Sequence, residues 1–406
     1  MARMAEITAC AATLDFDAAQ AILAAHALPL GSETVALADA AGRVLADPVV
    51  TRISAPRWDC AAMDGYAVRS ADLADDTPLR VAGTRYAGAA ADGRLAPGEA
   101  MRVMTGAPLP DGADRVVMVE RSAASGALVR LSPRAGERAH VRRVGEDFAV
   151  GTPVVPRGTL LEPGALVAVA AADVGAVSAW RRPRVRLLAA GDEIVAPGNA
   201  VATRHAIPDS LSIALAAFAR GWGAEMVASA RVADDPAAIR AAARAALVDV
   251  DVLVIAGGAS RGDRDHCRAA LAALGLEIAF ADIAIKPGKP VWFGRLGSLA
   301  VLGIPGNPTA ALTVARLFLA PLLAGLGGRP PDAALDWEQR PLVAPIPSQR
   351  DREGFLCAAR VDGGVRLLDR QAASGQGMLA QARYLLRRPP HAPAAVAGDP
   401  VPVLAL

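Results

Sequence analysis

Residues Asp251–Asp265 read D-V-L-V-I-A-G-G-A-S-R-G-D-R-D. Val252–Ala256 carry no polar interruption. A strand covered on both faces reads this way, whereas a half-exposed strand alternates apolar with polar. The run stops at Gly257-Gly258 and leads through polar residues into a helix that Asp265 can open. That is the pattern of one parallel strand in an α/β sheet.

The same rhythm extends in both directions. Upstream, V-R-L-L-A-A (Val185–Ala190) runs into Gly191-Asp192-Glu193. Asp209 or Ser210 can cap a helix over Leu211–Arg220. The next strand, Glu225–Val232, leads to Asp234 and Asp235, and Pro236 opens a helix over Ala237–Val248. Downstream, the helix from Asp265 reaches Leu274. L-A-V-L-G-I (Leu299–Ile304) then ends in Pro305-Gly306-Asn307-Pro308, before a long apolar helix over Thr309–Leu326. Strands alternating with helices predict a parallel, doubly wound sheet over residues 184–328.

The flanks differ. Phe16–Ala27 reads as a helix. From Pro48 to Gly158, short β-type runs such as Pro78–Thr84, Met101–Gly106 and Arg115–Glu120 lie between Pro and Gly turn signals, which predicts a mainly-β module. An apolar helix near Gly164–Val174 precedes an Arg-Pro linker at Arg181–Arg184. Arg329–Pro347 reads as a second linker, and the tail to Leu406 as a small β domain. The expected organisation is an α/β multidomain chain. Residues 1–47 with 148–183 form a small helical/linking domain, 48–147 an inserted mainly-β domain, 184–328 the α/β domain and 335–406 a C-terminal β domain.

Composition narrows the function. Of 406 residues, 53% are hydrophobic, enough for two to four cores. The net charge of +2 and 4% aromatics argue against nucleic acid as a partner. Four scattered cysteines argue against a disulfide scaffold or structural zinc, and the five histidines form no H-E-x-x-H. The longest apolar stretch is expected near Ala165–Ala172, too short to span a bilayer, so no membrane role is expected. With no export-type apolar block near the N-terminus, a cytoplasmic location is expected. No Walker A loop is present, because Pro290 follows Gly288-Lys289, and no G-x-G-x-x-G follows the first strand.

Ligands of open α/β sheets sit at the carboxyl ends of the strands. Those ends supply Glu193, Asp234, Asp235 and Asp265, oxygen ligands suited to Mg²⁺. They also supply Gly257, Gly258 and Gly262, whose missing side chains let backbone N–H groups approach an anion, and Ser260, a hydroxyl donor. Asp235 and Asp265 also have the simpler reading of helix caps. The only two lysines of the chain, Lys286 and Lys289, fall within I-K-P-G-K-P, while arginine supplies every other basic residue. Clustered ammonium groups in an arginine-rich chain point to phosphate or oxyanion charge. Together these residues describe a site for a phosphorylated or nucleotide-bearing ligand.

Seven motifs carry a resemblance: W-D-C-A-A-M-D-G-Y-A-V (Trp58–Val68), M-T-G-A-P-L-P-D-G-A-D (Met104–Asp114), G-E-D (Gly145–Asp147), A-G-D-E (Ala190–Glu193), the Gly257–Asp265 loop, I-K-P-G-K-P (Ile285–Pro290) and I-P-G-N-P (Ile304–Pro308). In this order the chain resembles the MoeA/gephyrin E-domain family, the molybdopterin molybdenumtransferases. The resemblance implies an elongated homodimer with its site at the subunit interface and a molybdopterin-binding α/β domain. Asp64 and Thr105 match family active-site positions in the β module, and Glu193, Asp234, Asp265, Lys286, Lys289, Pro305 and Pro308 match others in the α/β domain. The implied reaction inserts molybdate into adenylylated molybdopterin with Mg²⁺ and releases AMP. Glu193, Asp234 and Asp265 would hold Mg²⁺ or its waters, and the lysines the oxyanion or phosphate. Ser260 and the Gly257-Gly258 turn would contact the pterin phosphate, with Gly262, Pro305, Gly306, Asn307 and Pro308 also in the substrate site. The molybdopterin adenylyltransferase and client molybdoenzymes are the implied protein partners.

The chain departs from the family pattern at Ala61, Ala190 and Leu211, where Ser, Thr and Asn are usual, and at Arg261 and Arg264, two added cations. A paralogue that carries molybdopterin or finished cofactor without turnover is the alternative reading. A partner-clustering scaffold, as in gephyrin relatives, is a third.

Overall fold

The computed structural model describes residues 14–73, 77–132, 138–258 and 266–406. The chain is α/β and multidomain, and it divides into two compact units, residues 34–179 and residues 1–33 with 180–406.

The larger unit is built on a six-stranded sheet. Four strands are parallel, in spatial order Glu225–Val232, Arg184–Ala190, Val252–Ala256 and Leu299–Ile304. Val252–Ala256 is buried at every residue. Two further strands, Trp292–Leu296 and Glu277–Ala281, extend the sheet antiparallel, a departure from the all-parallel expectation. Only Gly297 (φ +60°) and Ser298 separate Trp292–Leu296 from Leu299–Ile304. A two-residue link closes a hairpin, whereas a parallel connection needs a crossover of about a dozen residues.

The helices start where their caps predict. Asp209 accepts a hydrogen bond from Ser212 N at the head of Ser210–Gly221, and Asp235 accepts one from Ala238 N at the head of Pro236–Ala246. The segment Pro308–Leu326 is two α-helical stretches joined by a π-helical turn at Ala315–Leu319. It corrects the expectation that the longest apolar stretch lies near Ala165–Ala172. The segment has 19 residues with a window mean hydropathy of 1.7, long and apolar enough to cross a membrane, but 94% of that window is buried inside the unit. Its apolar surface is already satisfied by core packing.

The first helix, Phe16–His26, does not join residues 148–183 as expected. Its face Phe16, Ala19 and Leu23 is buried in the core of the α/β unit. Phe16 meets Phe318 edge-on at 5.8 Å and Phe355 at 5.0 Å. Helical spacing reveals an apolar face but not what covers it. The C-terminal strands Glu338–Pro341, Glu353–Val361, Gly364–Leu367, Tyr384–Arg388 and Pro400–Ala405 form a second sheet in the same unit. At its edge lies Ile285–Lys286, parallel to Glu353–Gly354. The lysine segment is therefore a strand of the C-terminal sheet. Arg387 ties the elements together: it pairs with Glu353 (2.5 Å) and with Asp17 (2.9 Å).

The proposed linkers are structured. Arg181 forms two hydrogen bonds with Asp251, at 3.0 and 2.9 Å, and Arg329–Pro347 holds the strand Glu338–Pro341.

Residues 34–179 contain their own six-stranded sheet, all within 65–131, with strand order Arg115–Met118, Gly65–Val68, Glu99–Val103, Leu79–Arg85, Leu128–Leu131 and Ser122–Ser125. A separate cluster in this unit packs Leu45, Val49, Val155, Leu161 and Val177 around Val169 of the helix Pro163–Ala171.

Candidate functional site

Parallel strands that share a direction also share an end. Three of the four in the larger unit terminate together in glycine or a turn. Gly191 N donates to Val232 O, and Gly257 N donates to Ile304 O. Gly257 adopts φ +89°, and a Cβ there would lie 2.5 Å from Ala190 O. No L side chain fits, which is the physical reason for G-G at this strand end. Gly306 packs against this turn, a Cβ there lying 3.4 Å from Gly257 Cα, an ordinary contact.

A cleft of about 580 Å³ opens over these ends. It is lined by Glu193, Asp234, Gly257, Gly258 and Pro305–Pro308, all expected from the sequence. Asp234 N donates to the Asp192 carboxylate at 3.1 Å. Burial raises the affinity of the Asp234 carboxyl for its proton, and the charges of Asp192 and Glu193 raise it further. His266 offsets part of this repulsion. A cluster of like charges favours an incoming cation. Among the described residues, no three His, Cys, Asp or Glu side chains converge as a metal-binding group. Ser260, Gly262 and Asp265, with Arg261 and Arg264, lie outside the described residues.

Lys286 and Lys289 are exposed and are not among the lining residues, although Pro290 is. They flank a tight loop. Ile283 N donates to Lys289 O at 2.9 Å, and Val291 N to Gly288 O at 3.1 Å. Gly288 has φ +109°, and a Cβ there would meet Val314 at 2.7 Å. The two ammonium groups thus project from a short loop packed onto the helix after Pro308.

Sequence reasoning missed Ile194, Ile207, Pro208, Ser374 and Gln376, which line the same cleft. Ile207-Pro208 precedes the Asp209 cap, and its parallel pairing with Ile194-Val195 carries no sequence signal. Ala190 and Leu211, two of the departures, also line the cleft and make it more apolar. Ala61 does not present itself to any ligand surface of its unit, being fully buried with Ala67, Val103 and Val116.

In the smaller unit, Asp64 and Thr105 meet. The Asp64 carboxylate accepts from Thr105 N at 2.7 Å and from Thr105 Oγ1 at 2.8 Å. These bonds, backbone first, hold the exposed carboxyl below its ordinary range. The strand entry is set by Gly65, where a Cβ would sit 2.1 Å from Val117 O. The placement of Asp64 therefore depends on a residue without a side chain beside it.

Two family descriptions match the chain: "MoeA N-terminal region (domain I and II)" over residues 14–173 and "Probable molybdopterin binding domain" over residues 186–325. Molybdopterin molybdenumtransferase 2 of Mycobacterium tuberculosis is 35% identical over 351 residues, covering 84% of each chain. The molybdopterin molybdenumtransferase of Synechococcus elongatus is 32% identical over 409 residues, covering 97% of this chain and 100% of the relative. A solved molybdopterin biosynthesis MoeA protein from Pyrococcus horikosii superposes with a TM-score of 0.80 at 28% identity, covering 97% of this chain and 99% of that one. With its two family regions in the same order and its relatives matched over most of their length, the chain belongs to the MoeA family of molybdopterin molybdenumtransferases.

Proposed function

We propose that the chain transfers molybdate into adenylylated molybdopterin, with Mg²⁺, and releases AMP. It would act as a cytoplasmic homodimer that receives substrate from the adenylyltransferase and passes cofactor to client molybdoenzymes. The observation that carries the reading is the cleft over the converged strand ends, where Glu193 and Asp234 share a wall system with the Gly257-Gly258 turn.

Mg²⁺ commonly takes one or two carboxylates, keeps waters and binds substrate phosphates. The residues present fit that demand. Glu193 and Asp234 supply oxygen ligands in a cluster whose negative charge raises the Asp234 pKa. When bound, the ion would neutralise charge on the phosphate anhydride. The chain's own groups do the rest. The glycine turn admits the ligand backbone-close, and the ammonium groups of Lys286 and Lys289 attract molybdate or the departing phosphate.

Purified protein supplied with adenylylated molybdopterin, molybdate and Mg²⁺ should release AMP and yield active cofactor. Lys289→Arg should lower AMP release about tenfold or more, because a planar guanidinium does not replace a compact ammonium in a tight loop. Full activity in that variant would remove the lysines from the mechanism. One observation favours the carrier reading: Ala190 and Leu211 offer the cleft no hydrogen-bonding side chain. Tight ligand binding with no AMP would establish it.

A further inference from the structure

The wall of the cleft built by Pro305–Pro308 would ordinarily be an anion socket, since it starts a helix. Here every first-turn donor is absent or occupied. Pro308 has no N–H. Thr309 N and Ala310 N both donate to Ala373 O, at 3.0 and 3.3 Å, and Ala311 N donates to Asn307 O at 2.8 Å. The Thr309 hydroxyl donates to Gly375 O, and Thr309 is 2% exposed. A segment of the C-terminal domain has taken the place an anion would occupy.

That segment is firmly held. Gln371 Oε1 accepts from Cys357 N at 3.0 Å, and its Nε2 donates to Cys357 O at 2.8 Å and to Leu368 O at 2.7 Å. Gly375 N donates to Ala372 O at 2.9 Å. The clamp places two polar residues on the cleft wall, Ser374 and Gln376. Gln376 precedes the short helix Gly377–Ala380 but makes no side-chain capping bond with it. Its amide is not spent on that cap.

The lining divides chemically. Glu193, Asp209 and Asp234 carry charge, and among the described lining residues there is no Lys or Arg. The opposite character belongs to Pro290, Pro305, Pro308, Ser374 and Gln376, which are neutral. Proline rings give a flat apolar surface. A carboxamide gives one acceptor beside a two-proton donor, and a hydroxyl gives both roles. A flat ring with an adjacent donor and acceptor on its edge matches that combination, and a phosphate does not.

We propose that Ser374 and Gln376 are specificity residues that read the edge of a heterobicycle in the ligand. The inference rests on the function proposed above and deepens it. Adenylylated molybdopterin contains two such rings, the pterin and the adenine, and both present an adjacent donor–acceptor edge. The charged phosphate bridge then lies toward Glu193 and Asp234.

The test measures binding of two probes, neopterin and 5′-AMP, to the full chain and to Gln376→Ala and Ser374→Ala. Removing the amide should weaken one probe about tenfold and leave the other unchanged, with the melting temperature preserved. Ser374→Ala should weaken the same probe by a few-fold. Loss confined to neopterin assigns the pterin to this wall, and loss confined to 5′-AMP assigns the adenine. Unchanged binding of both probes, or equal loss of both, overturns the inference. If the unsubstituted chain binds neither probe and releases no AMP, the proposed function itself falls.

Discussion

Asp64 in the smaller unit and Asp234 in the larger are both carboxylates at candidate sites, and their surroundings push them in opposite directions. Asp64 accepts two hydrogen bonds from Thr105 and is held below its ordinary pKa. Asp234 is partly buried beside Asp192 and Glu193, and its pKa is raised. One carboxylate arrives with its partners supplied by the fold, so it is fixed in charge and direction. The other sits among like charges that His266 only partly offsets, which a bound cation would relieve. What a fold leaves unsatisfied indicates what it binds.

The sharpest way to break this contrast is Asp234→Asn. Turnover should drop at least about 100-fold if the carboxylate helps hold Mg²⁺. Stability should move the other way. A carboxyl with a raised pKa favours the fold only below its ordinary value, and loses that contribution as pH rises through the raised value. At neutral pH its ionisation opposes folding, so the variant should melt slightly higher, by roughly 2 °C, in Mg²⁺-free buffer. A calorimetric melt and an AMP assay on one sample decide the point, and a lower melting temperature would contradict the repulsion.

Gly257→Ala attacks the same site through its backbone. A methyl at φ +89° and 2.5 Å from Ala190 O costs on the order of 1–3 kcal/mol in strain. Denaturant unfolding should register that loss, and AMP release should fall about tenfold as the strand ends part. Asp64 should keep its lowered pKa throughout, because its partners lie in the other unit.

The smallest effect is expected from Thr105→Val, which deletes the hydroxyl bond and keeps the backbone one. The Asp64 pKa should rise part of the way toward its ordinary value, read by NMR titration of the carboxyl. Its stabilising contribution is present above the ordinary carboxylate range and lost as pH falls through the lowered value. The variant should narrow that acid-side window. No shift would mean that the backbone bond alone sets the charge.

The converged strand ends were legible because topology requires them. Once the strands are parallel, Glu193, Asp234, Gly257 and Pro305 have to gather at one end, however far apart they are in sequence. The antiparallel edge hung on a Gly297-Ser298 link that reads equally well as an ordinary loop. Ser374 and Gln376 were not legible at all. They reach the cleft through a backbone clamp between Ala373 and the helix after Pro308, and backbone bonds leave no residue signature. The placement of Phe16–His26 was hidden for a related reason, since an amphipathic face does not name its partner. Asp64 and Thr105, 41 residues apart, were indicated by family resemblance and not by spacing.

Asp17 and Arg387, joined by an ion pair, are 370 residues apart. During synthesis at ~5–20 residues per second, roughly 20–70 s separate their appearance. Residues 34–179 can fold and bury their own cores while the helix Phe16–His26 waits with its phenylalanine uncovered. The larger unit therefore has a birth order: its first helix is made early, sealed last, and depends on strands that leave the ribosome at the end. Until those strands arrive, Phe16 lacks the Phe318 and Phe355 rings that cover it in the finished fold.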